Sequence, residues 1–245
     1  MAQLLIINPN TSTSVTTKLA QYARDMCKGD QTVESLTARF GASYIVDEAS
    51  FTIAAHATLD AWAYAATLPH LKPASVLVAC FGDPGLIALQ ENCPVPVTGL
   101  AQAAFFAAAK HGRYAVVTGG ERWKPMLQRL AIALNQQDHL AGIHTVAPSG
   151  AELASNPEHA LSLLIQACND AQAMFKADAI ILGGAGLAGL ATKIQPYVDT
   201  PIIDSVHAGI DAALKLMGKA SQEVRPKLSL SLHQVSSELI EMFRT

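Results

Sequence analysis

No two cysteines in this chain stand in C-x-x-C spacing, no two histidines in H-x-x-x-H, and Lys and Arg nowhere gather into a run. The first two absences exclude the common zinc and dithiol patterns, so Cys27, Cys80, Cys93 and Cys168 are expected as free thiols in a reducing compartment. The third, with a formal net charge of −3, leaves no electrostatic footprint for a phosphate backbone or an anionic membrane, and no nucleic-acid partner is expected. Apolar runs are also short. None reaches the roughly 20 residues that cross a bilayer, and the opening MAQLLIINPNTS has no basic leader and is broken at Asn8-Pro9-Asn10. It reads as a first strand rather than a signal, in a cytoplasmic protein with no membrane association.

Charge is scarce as well, at 15% of residues against 50% hydrophobic. Such a chain collapses around a core instead of staying disordered, and 245 residues suffice for one large domain or two lobes. Short β-branched or apolar runs at 4–7, 32–36, 75–79, 95–98, 114–118, 143–146, 179–182 and 202–203 alternate with Ala/Leu-rich segments at 12–27, 48–67, 101–110, 121–135, 157–175 and 206–217. A last helix is expected near 232–243. Strand and helix in alternation predict an α/β fold with mostly parallel sheets.

Laid over itself at an offset of 104, the chain repeats. Ser75-Val-Leu-Val-Ala-Cys80-Phe-Gly82-Asp-Pro-Gly85-Leu86 falls on Ala179-Ile-Ile-Leu-Gly-Gly184-Ala-Gly186-Leu-Ala-Gly189-Leu190. One residue later in register, Val95-Pro-Val-Thr-Gly99 falls on Thr200-Pro-Ile-Ile-Asp204. Two copies of one α/β unit predict two similar lobes related by a pseudo-twofold, residues 1–100 plus 205–245 and residues 101–204, with a ligand in the cleft between them. The repeat bears on Gly184-Ala-Gly186-Leu-Ala-Gly189, which spells the dinucleotide fingerprint G-x-G-x-x-G. That fingerprint belongs at the first βα turn of a long βαβ unit, whereas here Pro196 follows early and 41 residues remain beyond Asp204. Glycines matched by a second loop read better as backbone approaching a ligand from two sides.

Ligands of open α/β sheets sit at the carboxyl ends of strands, where CFGDPG at 80–85 places the Cys80 thiol. Backbone N–H groups of Phe81 and Gly82 are expected to lower its pKa and to bind an anion. A cysteine is more often an inert small hydrophobe, the reading kept for Cys27, Cys93 and Cys168. INPNTS at 7–12 offers Asn10, and VVTGG ends a strand with the Thr118 hydroxyl and the backbone of Gly119. Donors converging with a thiol suggest a site for an oxyanion or enolate. Tyr44 and Ile45, in the segment before the helix at 48, are expected at its mouth. His207, three residues past Asp204 at a strand end, stands apart from His56, His111, His139, His144, His159 and His233, which read as helix or loop residues.

With INPNTS, ACFGDPGL, PVTGLAQAA, VVTGG, ILGGAGLAGLA and PIIDS in this order, the chain resembles the aspartate/glutamate/hydantoin racemase superfamily, and most closely its hydantoin and allantoin racemase branch. The resemblance implies cofactor-independent chemistry on a small molecule, with two cysteines facing each other across the substrate's α-carbon. Removing a hydrogen from one face and returning a proton to the other needs two such groups. The family's second cysteine lies in L-G-C-x-G, which here reads Leu182-Gly183-Gly184-Ala185-Gly186, so that base is lost; the family's frequent Glu is Gln102. Three functions follow as expectations. One is a racemase or epimerase of a hydantoin, allantoin or amino-acid derivative using Cys80, with His207, water or a mobile side chain opposite, and with backbone donors at Phe81, Gly82, Gly184 and Ala185 joining Asn10 and Thr118 around the developing charge. Another is a one-cysteine decarboxylase of a malonate-type acid, the mirror arrangement of the arylmalonate decarboxylases. The last is a non-catalytic binder of a small carboxylate or hydantoin. Apolar helices of this kind also predict a homo-oligomer.

Overall fold

The computed structural model describes residues 2–147, 152, 157–219 and 231–243. Eight strands form two four-stranded parallel sheets of the same topology. In the first, β1 (Gln3–Asn8), β2 (Thr32–Thr37), β3 (Pro73–Val78) and β4 (Val97–Gly99) lie in the order β2-β1-β3-β4. In the second, β5 (Tyr114–Gly119), β6 (Leu140–Val146), β7 (Ala179–Gly183) and β8 (Ile202–Asp204) lie in the order β6-β5-β7-β8. The repeat read from sequence is therefore a repeat of topology, with β3 matching β7 and β4 matching β8.

Helices cover both faces of each sheet: α1 (Thr13–Met26), α2 (Glu48–Ala66), α3 (Leu86–Asn92), α4 (Leu100–Ala108), α5 (Trp123–Ala133), α6 (Pro157–Phe175), α7 (Leu190–Ile194), α8 (Ser205–Leu216) and α9 (Ser237–Met242). Two-sided cover is why the central strands read as continuous apolar runs: Leu4, Leu5, Ile6 and Ile7 are all fully buried. Successive side chains alternate faces. Leu4, Ile6 and Leu77 join Val116 and Ile181 of the other sheet in one core with Leu100, Phe105, Val206 and Ile210 of α4 and α8. Leu5, Ile7, Val76 and Val78 face an outer core with α2 and α3, as Ala115, Val117, Ile180 and Leu182 do with α6 and α7. Helices α4 and α8 meet where Gly209 leaves room for Leu100, whose side chain lies 2.5 Å from where a Cβ on residue 209 would stand.

The expected elements are found within a few residues of their places. Two were not anticipated: α3 and α7, of seven and five residues, are shorter than the window over which a 3.6-residue period shows. The terminal helix is also shorter than the span 232–243, beginning at Ser237 where Ser236 caps the Leu239 N–H.

Candidate active site

The carboxyl ends of β1, β3, β5 and β7, the central strands of both sheets, converge on one cavity of about 120 Å³. After β1 the chain turns sharply through Asn8-Pro9-Asn10, and the turn is held by its own amides. Asn10 Oδ1 accepts from the Ser12 N–H and from Asn8 Nδ2, both at 2.9 Å, while Asn8 Nδ2 also donates to Thr16 Oγ1. Because the Ser12 N–H can only donate, it fixes which Asn10 atom is oxygen. The Asn10 Nδ2 donors are left to the cavity that Asn10 lines.

From β3 the chain passes through Ala79, whose N–H still bonds Ile7, into the turn that carries Cys80. The thiol lines the cavity and is 8% exposed. Burial, and next the charge of Asp83, push its pKa well above the ordinary thiol range, opposite in direction to the lowering expected from backbone donors. Both effects favour the neutral thiol and make its thiolate scarce and strongly basic. Gly82, expected to present backbone to a ligand, lies outside the cavity lining. Its φ of +128° is open to glycine, and a Cβ there would stand 2.4 Å from the indole of Trp123, so this glycine makes room for a wall of the cavity.

The second sheet contributes Thr118, Gly119 and residues 183–186. Thr118 Oγ1 donates to the Gly183 carbonyl at 2.8 Å. Its one hydrogen is committed, so Thr118 offers the cavity a lone pair instead of the donor expected of it. The Gly184 N–H is also engaged, by the buried Ser205 hydroxyl at 3.2 Å, which withdraws it from the expected donor set. The N–H groups of Phe81 and Ala185 have no intramolecular partner among the described residues. Gly184 itself has φ +148°, and a Cβ would meet Leu187 Cγ at 3.3 Å.

The mouth is a loop from the first half reaching across to the second. Ile45 is buried, and Tyr44 and Val46 are exposed. The loop ends in a capping box at Asp47 and Ser50 that starts α2, and there it is tied to α5. Arg129 meets Glu48 with both nitrogens, at 2.6 and 2.9 Å, and Arg122 reaches Asp47 at 3.4 Å. Phe51 stands edge-on to Trp123, centroids 6.4 Å apart, under the Arg129 guanidinium.

The structure thus brings Asn10, Tyr44, Ile45, Cys80, Phe81, Thr118, Gly119, Gly184 and Ala185 to one cavity. His207 is not among them. It lies on α8 beside a separate surface cleft with Tyr22, Asp204 and Asp211, its backbone N–H on the Asp204 carboxylate, so it does not stand in for a base opposite Cys80. Sequence reasoning missed Trp123, Val15 and Val46, which give the cavity its apolar walls. The available signal was the position of Trp123 just after the strand-end loop VVTGG.

The sequence profile of the Asp/Glu/Hydantoin racemase family matches residues 4–213. The chain belongs to that family. A hydantoin racemase of Pseudomonas sp. (strain NS671) is 26% identical over 232 residues, covering 91% of this chain and 90% of that one. The crystal structure of the allantoin racemase of Pseudomonas fluorescens superposes with a TM-score of 0.86 at 26% identity, over 94% of this chain and 100% of the other. A more distant likeness, of fold alone, links it to a doubly substituted arylmalonate decarboxylase, with a TM-score of 0.67 at 16% identity over 92% and 96% of the two chains.

Proposed function

We propose that this chain is a cofactor-independent racemase of a neutral cyclic ureide or imide of the hydantoin or allantoin type, in which Cys80 is the sole side-chain acid/base. One observation carries the reading: among the cavity-lining residues only Cys80 and the mouth residue Tyr44 can ionise, and none is cationic. A substrate carboxylate would be buried against neutral groups alone, which is costly, whereas a ring with N–H and C=O edges matches the Asn10 donors and the Thr118 lone pair. The α-hydrogen of such a ring leaves as a proton to the Cys80 thiolate. The enolate oxygen that develops is met by Asn10 Nδ2 and the backbone N–H groups of Phe81 and Ala185. A proton returned by Cys80 restores the configuration; one returned by water on the Gly184 side inverts it.

Two consequences follow. Proton exchange with retention outpaces inversion, because only one face has a positioned group. The rate also climbs with pH from 6 to 9, because the pKa of Cys80 is raised and each added pH unit increases the scarce thiolate. Proton NMR of single-enantiomer hydantoins and allantoin in D2O reads both, through loss of the α-hydrogen signal and the build-up of the other enantiomer. Cys80→Ala is expected to slow exchange by roughly 10²- to 10⁴-fold. Exchange at the wild-type rate in that variant would sink the mechanism.

A second reading has its own support. A buried thiol facing an empty opposite wall suits a step that only delivers a proton, as after loss of CO2 from a malonate. Carbon dioxide release from a 2-substituted malonate, with a rate flat through pH 6–8, would favour it over the racemase. Neither turnover nor exchange across the panel would leave a binding protein.

A further inference from the structure

Outside the proton chemistry just described, one buried ionisable group sits three residues from the thiol. Asp83 is 3% exposed and has φ +54°, unusual for a residue with a side chain. Its carboxylate accepts the Ala101 N–H at 2.9 Å and the Gln102 N–H at 2.7 Å, and is drawn on by Leu100 as well, so it sits on the N-terminus of α4. Its backbone closes the thiol turn: the Asp83 N–H bonds the Cys80 carbonyl at 3.0 Å, and the Asp83 carbonyl accepts from Leu86 at 3.1 Å. The fit depends on Gly99, the residue before α4. A Cβ there would overlap the carboxylate, 2.2 Å from its carbon.

We propose that Asp83 is a positioning residue for Cys80: it locks the thiol-bearing turn onto the start of α4 and sets an ionisable carboxyl three residues from the thiol. Among the described residues that line the cavity, no Asp, Glu, Lys, Arg or His adds another charge. The β1–α1 turn presents Asn10 to the cavity, α1 presents Val15, the mouth presents Tyr44 and Ile45, β5 and α5 present Thr118 and Trp123, the β7 loop presents residues 183–186, and α4 presents the neutral Gln102 on its first turn. Asp83 is the charge whose field falls on Cys80. Burial pushes its own carboxyl up to about 7, against the pull of the three N–H groups, so the charge is switched on across neutral pH.

Thiol alkylation tests this without any substrate, so the result stands apart from whether Cys80 turns over a hydantoin. Iodoacetamide labelling of Cys80, followed by peptide mass spectrometry from pH 5 to 10, is run on the wild type and on Asp83→Asn. With its charged neighbour gone, Cys80 in Asp83→Asn is expected to react about tenfold faster at pH 8 and above, and at close to the wild-type rate at pH 5, where Asp83 is itself protonated. A loosened turn without an electrostatic role would change reagent access at every pH alike. In the wild type alone, the logarithm of the rate is expected to rise with unit slope, flatten near pH 7 as Asp83 ionises, and steepen again. A ratio of variant to wild-type rate that stays the same from pH 5 to 10 in a folded Asp83→Asn would overturn the proposal. If that variant does not fold, a wild-type profile of unit slope throughout, with no flattening, overturns it equally.

Discussion

The thiol loop of the first half and the glycine loop of the second are the same backbone put to different use. Both leave a central strand of a four-stranded sheet, and both end at a left-handed glycine that caps a short helix, Gly85 at φ +80° and Gly189 at φ +79°. They differ in which partner supplies a carboxylate. In the second half Asp204, the residue before α8, accepts the Val206 and His207 N–H groups at 2.9 and 3.1 Å and reaches back to the Gly189 N–H at 2.7 Å. In the first half the matching residue is Gly99, and the carboxylate arrives from the loop, through Asp83. Where Asp83 stands in one loop, the buried Leu187 stands in the other. The joint between loop and helix can thus be built from either side. Only the version in the first half puts a charge near the thiol that lines the cavity.

The strongest way to break this comparison is to move the carboxylate from one side of the joint to the other. Gly99 is extended, at φ −124°, so a side chain there meets no backbone strain, only the Asp83 carboxylate. Gly99→Asp alone forces two buried carboxylates together and is expected to cost about 3–5 kcal/mol, seen as a lower urea midpoint. Adding Asp83→Leu rebuilds the arrangement of the second half, and most of that loss should return as a coupling of about 1–3 kcal/mol. Simple additivity would mean that the two joints are not equivalent.

Smaller, and aimed at the opposite wall, is Gly184→Cys. It restores a thiol in the place matching Cys80, but on a backbone at φ +148° and within 3.3 Å of Leu187. About 1–3 kcal/mol of stability should be lost, with the melting temperature falling accordingly. Inversion should gain on retention in the D2O exchange experiment. A folded Gly184→Cys with the wild-type ratio would show that the loop no longer aims a side chain at residue 80's substrate face.

Most of this architecture is legible in the residues, for reasons the structure makes plain. Runs such as Leu4-Leu-Ile-Ile7 are apolar throughout because helices cover both faces, and the offset of 104 is visible in part because the left-handed glycine before each short helix, Gly85 and Gly189, recurs in register. Hydrogen-bond direction was not legible. Thr118 and Gly184 read as donors, yet each is already bonded, to Gly183 and to Ser205, by partners 65 and 21 residues away. His207 misled because closeness to Asp204 in sequence places it at the end of β8, an edge strand, while the cavity opens between β5 and β7 at the sheet centre. Trp123 was passed over because an aromatic at a helix start is as common in a core, and Gly82 was read as facing the ligand when it faces that indole.

The two halves also meet at the mouth, and there the expected effect is the smallest. Arg129 and Glu48 are each about half exposed, so their pairing is screened by water and salt and adds little to stability. Their geometry nevertheless holds the loop of the first half against α5 of the second, over Phe51 and Trp123. The hydrogen bond from Arg129 lowers the Glu48 pKa below its ordinary value. A depressed carboxyl contributes above its unfolded pKa and loses its effect as pH falls through the folded value, so the latch should release below about pH 4. Arg129→Ala is therefore expected to leave the melting temperature unchanged, to shift Trp123 emission at neutral pH, and to abolish the emission step that the wild type shows on acidification. A wild-type step that survives in Arg129→Ala would place its origin elsewhere, with Arg122 and Asp47 the ion pair that remains across the mouth.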